Sequence, residues 1–126
     1  MAEVGASSIG GEVMKLVHYR EVEAEALQEA EGVRVRWVIG PKDRPPNFFM
    51  RVFEIASGAS TPYHNHPWEH EVFVLRGRGS LECKGKSHPI GEGDVVFLEA
   101  SIDHCFRNTA QEPLEIICVI PKEGAR

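Results

Sequence analysis

No apolar run in this chain approaches the roughly 18 residues that a membrane-crossing helix needs. The N-terminus shows no basic stretch leading into an apolar block, so no secretory signal is expected. Cysteine is scarce, three residues with no Cys-x-x-Cys pair. That excludes a disulfide scaffold and a thioredoxin-like motif, and suits a reducing, cytoplasmic setting. Positive charge is in deficit: 14 Lys and Arg stand against 19 Asp and Glu, for a formal net charge of -5. Such a balance argues against nucleic acid and anionic membranes as partners. There is no Gly-x-Ser-x-Gly nucleophile turn and no phosphate-cradling glycine loop. Helical periodicity is nearly absent as well, which removes bundles and α/β folds.

What the chain does have is alternation. Val33–Ile39 runs apolar and polar with period two, with Arg34 and Arg36 on its basic face. Further strands are expected over Phe48–Ile55, His70–Arg76, a hairpin at 80–90 turning near Gly85 and Lys86, then 95–99, 104–108 and 114–120. Short strands at regular spacing, parted by Gly and Pro turns, predict an all-β sandwich or barrel. At 126 residues it is one domain. Residues 1–13, rich in Gly, Ser and Ala, read as a disordered extension or tag remnant, and 14–126 as the domain. The segment 22–31, rich in Glu and Ala, reads as a solvated approach to the barrel.

Three of the six histidines fall within seven residues: His64, His66 and His70. On an extended strand, His64 and His66 leave the same face. Pro67 marks a bend, and His70 opens the next strand. Neutral imidazole is the commonest side-chain metal ligand, and two strand histidines with a third from the next strand can converge on one ion. His18 and His88 have no partner at useful spacing and are expected at the surface.

The segment from Gly58 through His64 and His66 to Gly77, followed by Gly93, His104 and Asn108, resembles the two motifs of the cupin superfamily. The family's first-motif glutamate falls on His70 here, while Glu71 is one residue late and faces the other way. Glu99 stands where the second motif has proline, and Ser101 where it has glycine. With His-Pro-Trp-Glu-His and a closing Ile-Pro-Lys-Glu-Gly (120–124), the chain resembles the small tetra-histidine manganese cupins. The resemblance implies a double-stranded β-helix, or jelly roll. It also implies one divalent ion held by His64, His66, His70 and His104: manganese first, with iron, nickel, copper or zinc as alternatives.

Four neutral imidazoles leave a metal its full charge. A six-coordinate ion arranged as in the family would keep two adjacent positions open, for a bidentate substrate or for one substrate atom plus dioxygen or peroxide. The expected function is therefore a metal-dependent oxidoreductase acting on a small organic substrate. The alternatives are a non-catalytic sensor or binding module and a metal-dependent isomerase. Phe106, two residues past His104, should line the pocket. Arg51 shares a strand face with Phe49, Phe53 and Ile55 and is a candidate clamp for a substrate carboxylate. Glu115 should face water, which sends Leu114, Ile116, Cys118 and Ile120 inward and places Cys118 near the metal. Trp68 either lines the cavity mouth or staples the bend. Glu69 and Glu71 read as solvated charges. His70–Arg76 is apolar on both faces, and one barrel covers only one face, so a homodimer is expected, with the Arg34 and Arg36 face at or near the partner.

Overall fold

The computed structural model describes residues 6–9 and 12–124. In chain order the strands are β1 (Ala6–Ile9), β2 (Glu12–Lys15), β3 (Ala24–Ala26), β4 (Val33–Ile39), β5 (Phe48–Ile55), β6 (His70–Arg76), β7 (Arg78–Cys83), β8 (Lys86–Gly91), β9 (Val95–Leu98), β10 (His104–Arg107) and β11 (Leu114–Pro121). Short 3-10 turns occur at Tyr19–Glu21, Pro41–Asp43 and Lys122–Gly124. Within the N-terminal extension, Ala6–Ile9 pairs antiparallel with Glu12–Lys15. The expectation of disorder there otherwise falls on residues outside those described.

A six-stranded sheet runs β3-β4-β5-β11-β6-β9, and a three-stranded sheet runs β10-β7-β8, with antiparallel pairing throughout. The segment before the bend extends the second sheet. Ser60 bridges Arg107, and His64 bridges His104. Both sheets turn their apolar face onto one core. Val33, Val35, Phe53, Ile55, Val72, Val74, Leu114 and Ile116 come from the first sheet, and Leu81, Ile90 and Phe106 from the second. This is the jelly-roll barrel that the strand pattern and the motifs predict. The period-two reading holds along β11, where Leu114, Ile116, Cys118 and Ile120 are all buried.

Glu115 corrects one expectation. It leaves the opposite face from Leu114 and Ile116, yet it is 1% exposed. The N-terminal segment crosses that outer face. Tyr19 donates its hydroxyl to Glu115 Oε1 at 2.7 Å, Arg76 donates to Oε2 at 3.3 Å, and Arg20 lies 3.7 Å away. Beside it, Lys15 donates to the Val38 carbonyl at 2.8 Å and pairs with Asp43. A bulge in the β11–β6 ladder places Arg76 opposite Glu115 and then Val74 opposite Ile116, so the guanidinium rather than Leu75 meets the carboxylate. A buried carboxylate persists only when it is paired and hydrogen-bonded, as this one is. The basic face of β4 is also used within the chain. Arg34 pairs with Glu54 at 3.3 Å, and Arg36 donates to the carbonyls of Arg20 and Val22.

At the β9 edge of the six-stranded sheet the outer faces of β6 and β9 leave Phe73 42%, Val95 75% and Phe97 60% exposed.

Candidate metal centre

The four candidate histidines come from three places in the barrel. His64 and His66 lie on the extended segment that pairs with β10. His70 opens β6, and His104 opens β10. His64 is tied to His104 by reciprocal backbone bonds, His64 N–H to His104 carbonyl at 3.1 Å and the reverse at 3.0 Å. A backbone bond from Ser101 N–H to the His66 carbonyl and a 2.7 Å bond from Asn65 to Asp103 fasten the bend to the loop before β10. The histidine segment is therefore pinned from both sides by the second motif.

The rings gather at one end of the barrel interior. Their centroids are 4.2 Å apart for His64 and His66, 5.1 Å for His66 and His70, 5.1 Å for His70 and His104, and 5.6 Å for His64 and His104. The Nε2 atoms of His64 and His66 are 3.2 Å apart. His104 Nδ1 is 2.9 Å from the Ile102 carbonyl. A carbonyl only accepts, so Nδ1 carries the proton and Nε2 keeps its lone pair for the cavity. His70 Nε2 is buried with no hydrogen-bond partner among the described residues. Burial, reinforced by the neighbouring imidazoles and Arg51, lowers the proton affinity of His64, His66 and His70. His64 is shifted down, His66 to about 4 and His70 to about 3. They are neutral donors at neutral pH, the form a metal requires.

As the side chains stand, no three His, Cys, Asp or Glu groups among the described residues are already closed around one point. The fit to an ion rests on the donor set: clustered neutral imidazoles, an unpartnered Nε2 on His70, and a tautomer fixed on His104. Glu71 faces away from the cavity, and its carboxyl is pushed up to about 6 by a hydrogen bond with Glu69 and by burial.

The histidines line a cavity of about 410 Å³. Its walls include Trp37, Phe53, Trp68 and Phe106, with Arg51 and Cys118 deeper and Glu29 at the mouth. Phe106 is buried, with its ring 6.2 Å from His104. Trp68 lines the cavity and stacks on His66 at 4.5 Å and 9°. Arg51 and Cys118 are partners in the β5–β11 register and touch there. His18 and His88 are exposed, and His18 caps a 3-10 turn by accepting from Arg20 N–H. Sequence reasoning did not single out Trp37, Leu27 or Glu29 for this cavity. Trp37 was findable, because it continues the inward row of Val33 and Val35. Leu27 and Glu29 carry no periodic signal, lying in the turn that returns from β3.

The cupin domain family model matches residues 51–120, so the chain belongs to the cupin family. The polyketide cyclase RemF from Streptomyces resistomycificus is 31% identical, with a TM-score of 0.83, over 90% of this chain and 82% of that one. A predicted oxalate decarboxylase of Thermotoga maritima is 26% identical, with a TM-score of 0.74, over 84% of this chain and 97% of that one. The oxalate-binding protein of Thermotoga maritima is 35% identical over 68 residues, 53% of this chain and 56% of that protein. The match thus spans little more than half the length of that curated relative.

Proposed function

We propose that this cupin is a metal-dependent oxidoreductase. It would hold one divalent transition metal, manganese first, on His64, His66, His70 and His104, and act on a small organic substrate with dioxygen or peroxide. The observation that carries the reading is the cluster of four imidazoles in the wall of an aromatic cavity. When bound, the ion would supply Lewis-acid and redox chemistry with its charge undiminished by a carboxylate ligand. The protein's own part is to bind and to shield. Trp37, Phe53, Trp68 and Phe106 present flat faces to a substrate and exclude water. His104 is held in one tautomer by Ile102, and His66 is braced by Trp68. Three free thiols support a reducing, cytoplasmic setting. Among the described residues no helix is long and apolar enough to cross a membrane.

Cys118 supplies a test that needs no knowledge of the substrate. It is 3% exposed, lines the cavity, and its thiol is pushed up by burial, so bulk peroxide should react with it slowly. Cys83 is the more accessible thiol. Peroxide added to metal-free protein is therefore expected to modify Cys83 first. With manganese or iron bound, sulfenic or sulfinic acid is expected at Cys118 first. Mass spectrometry showing the same order with and without metal would count against oxidative chemistry at this site.

A second reading, metal-assisted ring closure, is favoured by the likeness to the polyketide cyclase over 90% of the chain. Zinc separates the two. Turnover that persists anaerobically with zinc belongs to ring closure, whereas loss of turnover with zinc belongs to oxidation. Tight zinc binding with no turnover of any kind would mark a binding module.

The working unit we propose is a homodimer. The barrel core buries Val72 and Val74 of β6, but Phe73, Val95 and Phe97 remain exposed on the outer face at the β9 edge of the sheet. A second copy covers such a surface most simply. Light scattering should give about twice the chain mass of 14.0 kDa at micromolar concentration, and a monomer mass would defeat the proposal.

A further inference from the structure

Among the described residues Arg51 is a charge without an ion-pair partner. It sits on the inward row of β5 between Phe49 and Phe53. Its guanidinium carbon lies 4.8 Å from the Phe53 ring centroid and 5.4 Å from that of Trp37. Nη2 points to Cys118 Sγ at 3.3 Å, and Nε is buried with no hydrogen-bond partner among the described residues. Among the described residues the ion pairs join Lys15 to Asp43, Arg20 and Arg76 to Glu115, and Arg34 to Glu54, and none reaches Arg51. A thiol is a weak acceptor, and two ring faces leave the in-plane N–H donors free. A guanidinium stays charged at any working pH, so desolvating it without an anion is costly. The imidazoles beside it are neutral or positive in either protonation state, so they offer no counter-charge.

We infer that Arg51 is the anion anchor of the cavity, and that its ligands are flat organic anions carrying a carboxylate or an ionised enol or phenol on an aromatic or conjugated body. The anion would take the free, in-plane N–H donors in the forked geometry that guanidinium and carboxylate share. Trp37 and Phe53, which hold the guanidinium by its faces, would also flank the ligand's body. A cavity of about 410 Å³ limits that body to a small molecule. Glu29 at the mouth disfavours a second negative group there. The inference rests on the metal-dependent reading only in giving the other end of the substrate to the histidines; the anchor itself needs no ion.

Benzoate and benzamide have nearly the same shape and differ in charge, and they are the probes. Each is titrated into the full chain, chelator-treated and zinc-loaded, by calorimetry or ligand-observed NMR. Metal-free protein is expected to bind benzoate about tenfold or more tightly than benzamide. Arg51→Gln should abolish the preference, and Arg51→Lys, which keeps the charge but not the fork, should retain part of it. Absence of benzoate binding, equal affinity for the two probes, or an unchanged preference in Arg51→Gln overturns the anchor. If Arg51→Gln does not fold, the wild-type comparison and Arg51→Lys still decide: an unchanged preference in Arg51→Lys would show that the fork is not used. A preference seen only with zinc overturns the anchor and leaves the metal reading intact. A metal-free preference in a protein that takes up no metal does the reverse.

Discussion

His70→Ala and His104→Ala are each expected to weaken metal binding by more than about a hundredfold, while Glu71→Ala leaves it unchanged. Both histidines are buried, and His70 Nε2 has no protein partner to lose. The stability consequence follows by mass action. An ion at about a thousand times its dissociation constant adds about 4 kcal/mol to the folded state, on the order of 10 °C in Tm for a domain of this size. Chelator should remove that increment from wild type and, at the same ion concentration, no more than about 1.4 kcal/mol from either variant. Elemental analysis and thermal melts with and without chelator are the measurements. Metal retained in His70→Ala but lost in Glu71→Ala would show that the bend runs in the other register. Acid should act in the same direction. In the unfolded chain the imidazoles titrate near about 6.5, whereas in the fold His66 waits until about 4 and His70 until about 3. As pH falls through the unfolded value, the unfolded state takes up protons that the native state refuses. The stability owed to these two rings therefore declines from about pH 6.5 down to those lower values and then levels off. Proton competition for the ligands sharpens the loss in the metal-bound protein.

Val33–Ile39 was legible because its buried Val33 and Val35 flank an exposed Arg34 and print a period of two on the chain. Phe48–Ile55 and Leu114–Pro121, in the middle of the six-stranded sheet, were legible instead as short apolar runs bounded by turns. The histidine cluster was legible because it is local. Three of its members lie within seven residues, and the fourth follows a recognisable turn. What was not legible came from contacts far apart in sequence. Glu115 obeys the alternation and faces outward, but its burial depends on Tyr19, which lies 96 residues away. Nothing near Glu115 announces that a segment from the other end of the chain will cover it. The inward course of Leu27 and Glu29 likewise depends on how β3 docks on β4, which the composition of 22–31 does not encode. Arg51 shows the intermediate case. Its face was readable from Phe49, Phe53 and Ile55, but its lack of an ion pair among the described residues was not.

The two motif glycines should respond very differently to alanine, although both have positive φ. Gly58 sits at φ 80°, and a Cβ built there meets nothing within 4 Å. Gly58→Ala should therefore cost only the left-handed backbone penalty, about 1 kcal/mol. Gly77 sits at φ 90° in the tight link between β6 and β7. A Cβ there would fall 2.4 Å from the Pro113 carbonyl oxygen and 3.0 Å from the Leu114 Cα. Those atoms cannot swing aside as a side-chain tip would. Pro113 leads directly into β11, where Leu114 is fully buried, and the preceding loop is fastened by Asn108. That residue, itself 1% exposed, donates to the carbonyls of Ile55 and Glu112 at 2.8 Å and accepts from Ala110 N–H at 2.8 Å. The last glycine of the first motif and the asparagine of the second thus hold the same end of the barrel, away from any chemistry. Gly77→Ala must either push β11 off that anchor or strain the β6–β7 link. The expected loss is on the order of 3 kcal/mol or more, several times that of Gly58→Ala, with metal affinity of the folded fraction unchanged. Denaturant midpoints for the two variants measure the difference. Equal losses would mean that backbone conformation alone explains Gly77, and that the close approach to Pro113 carries no cost.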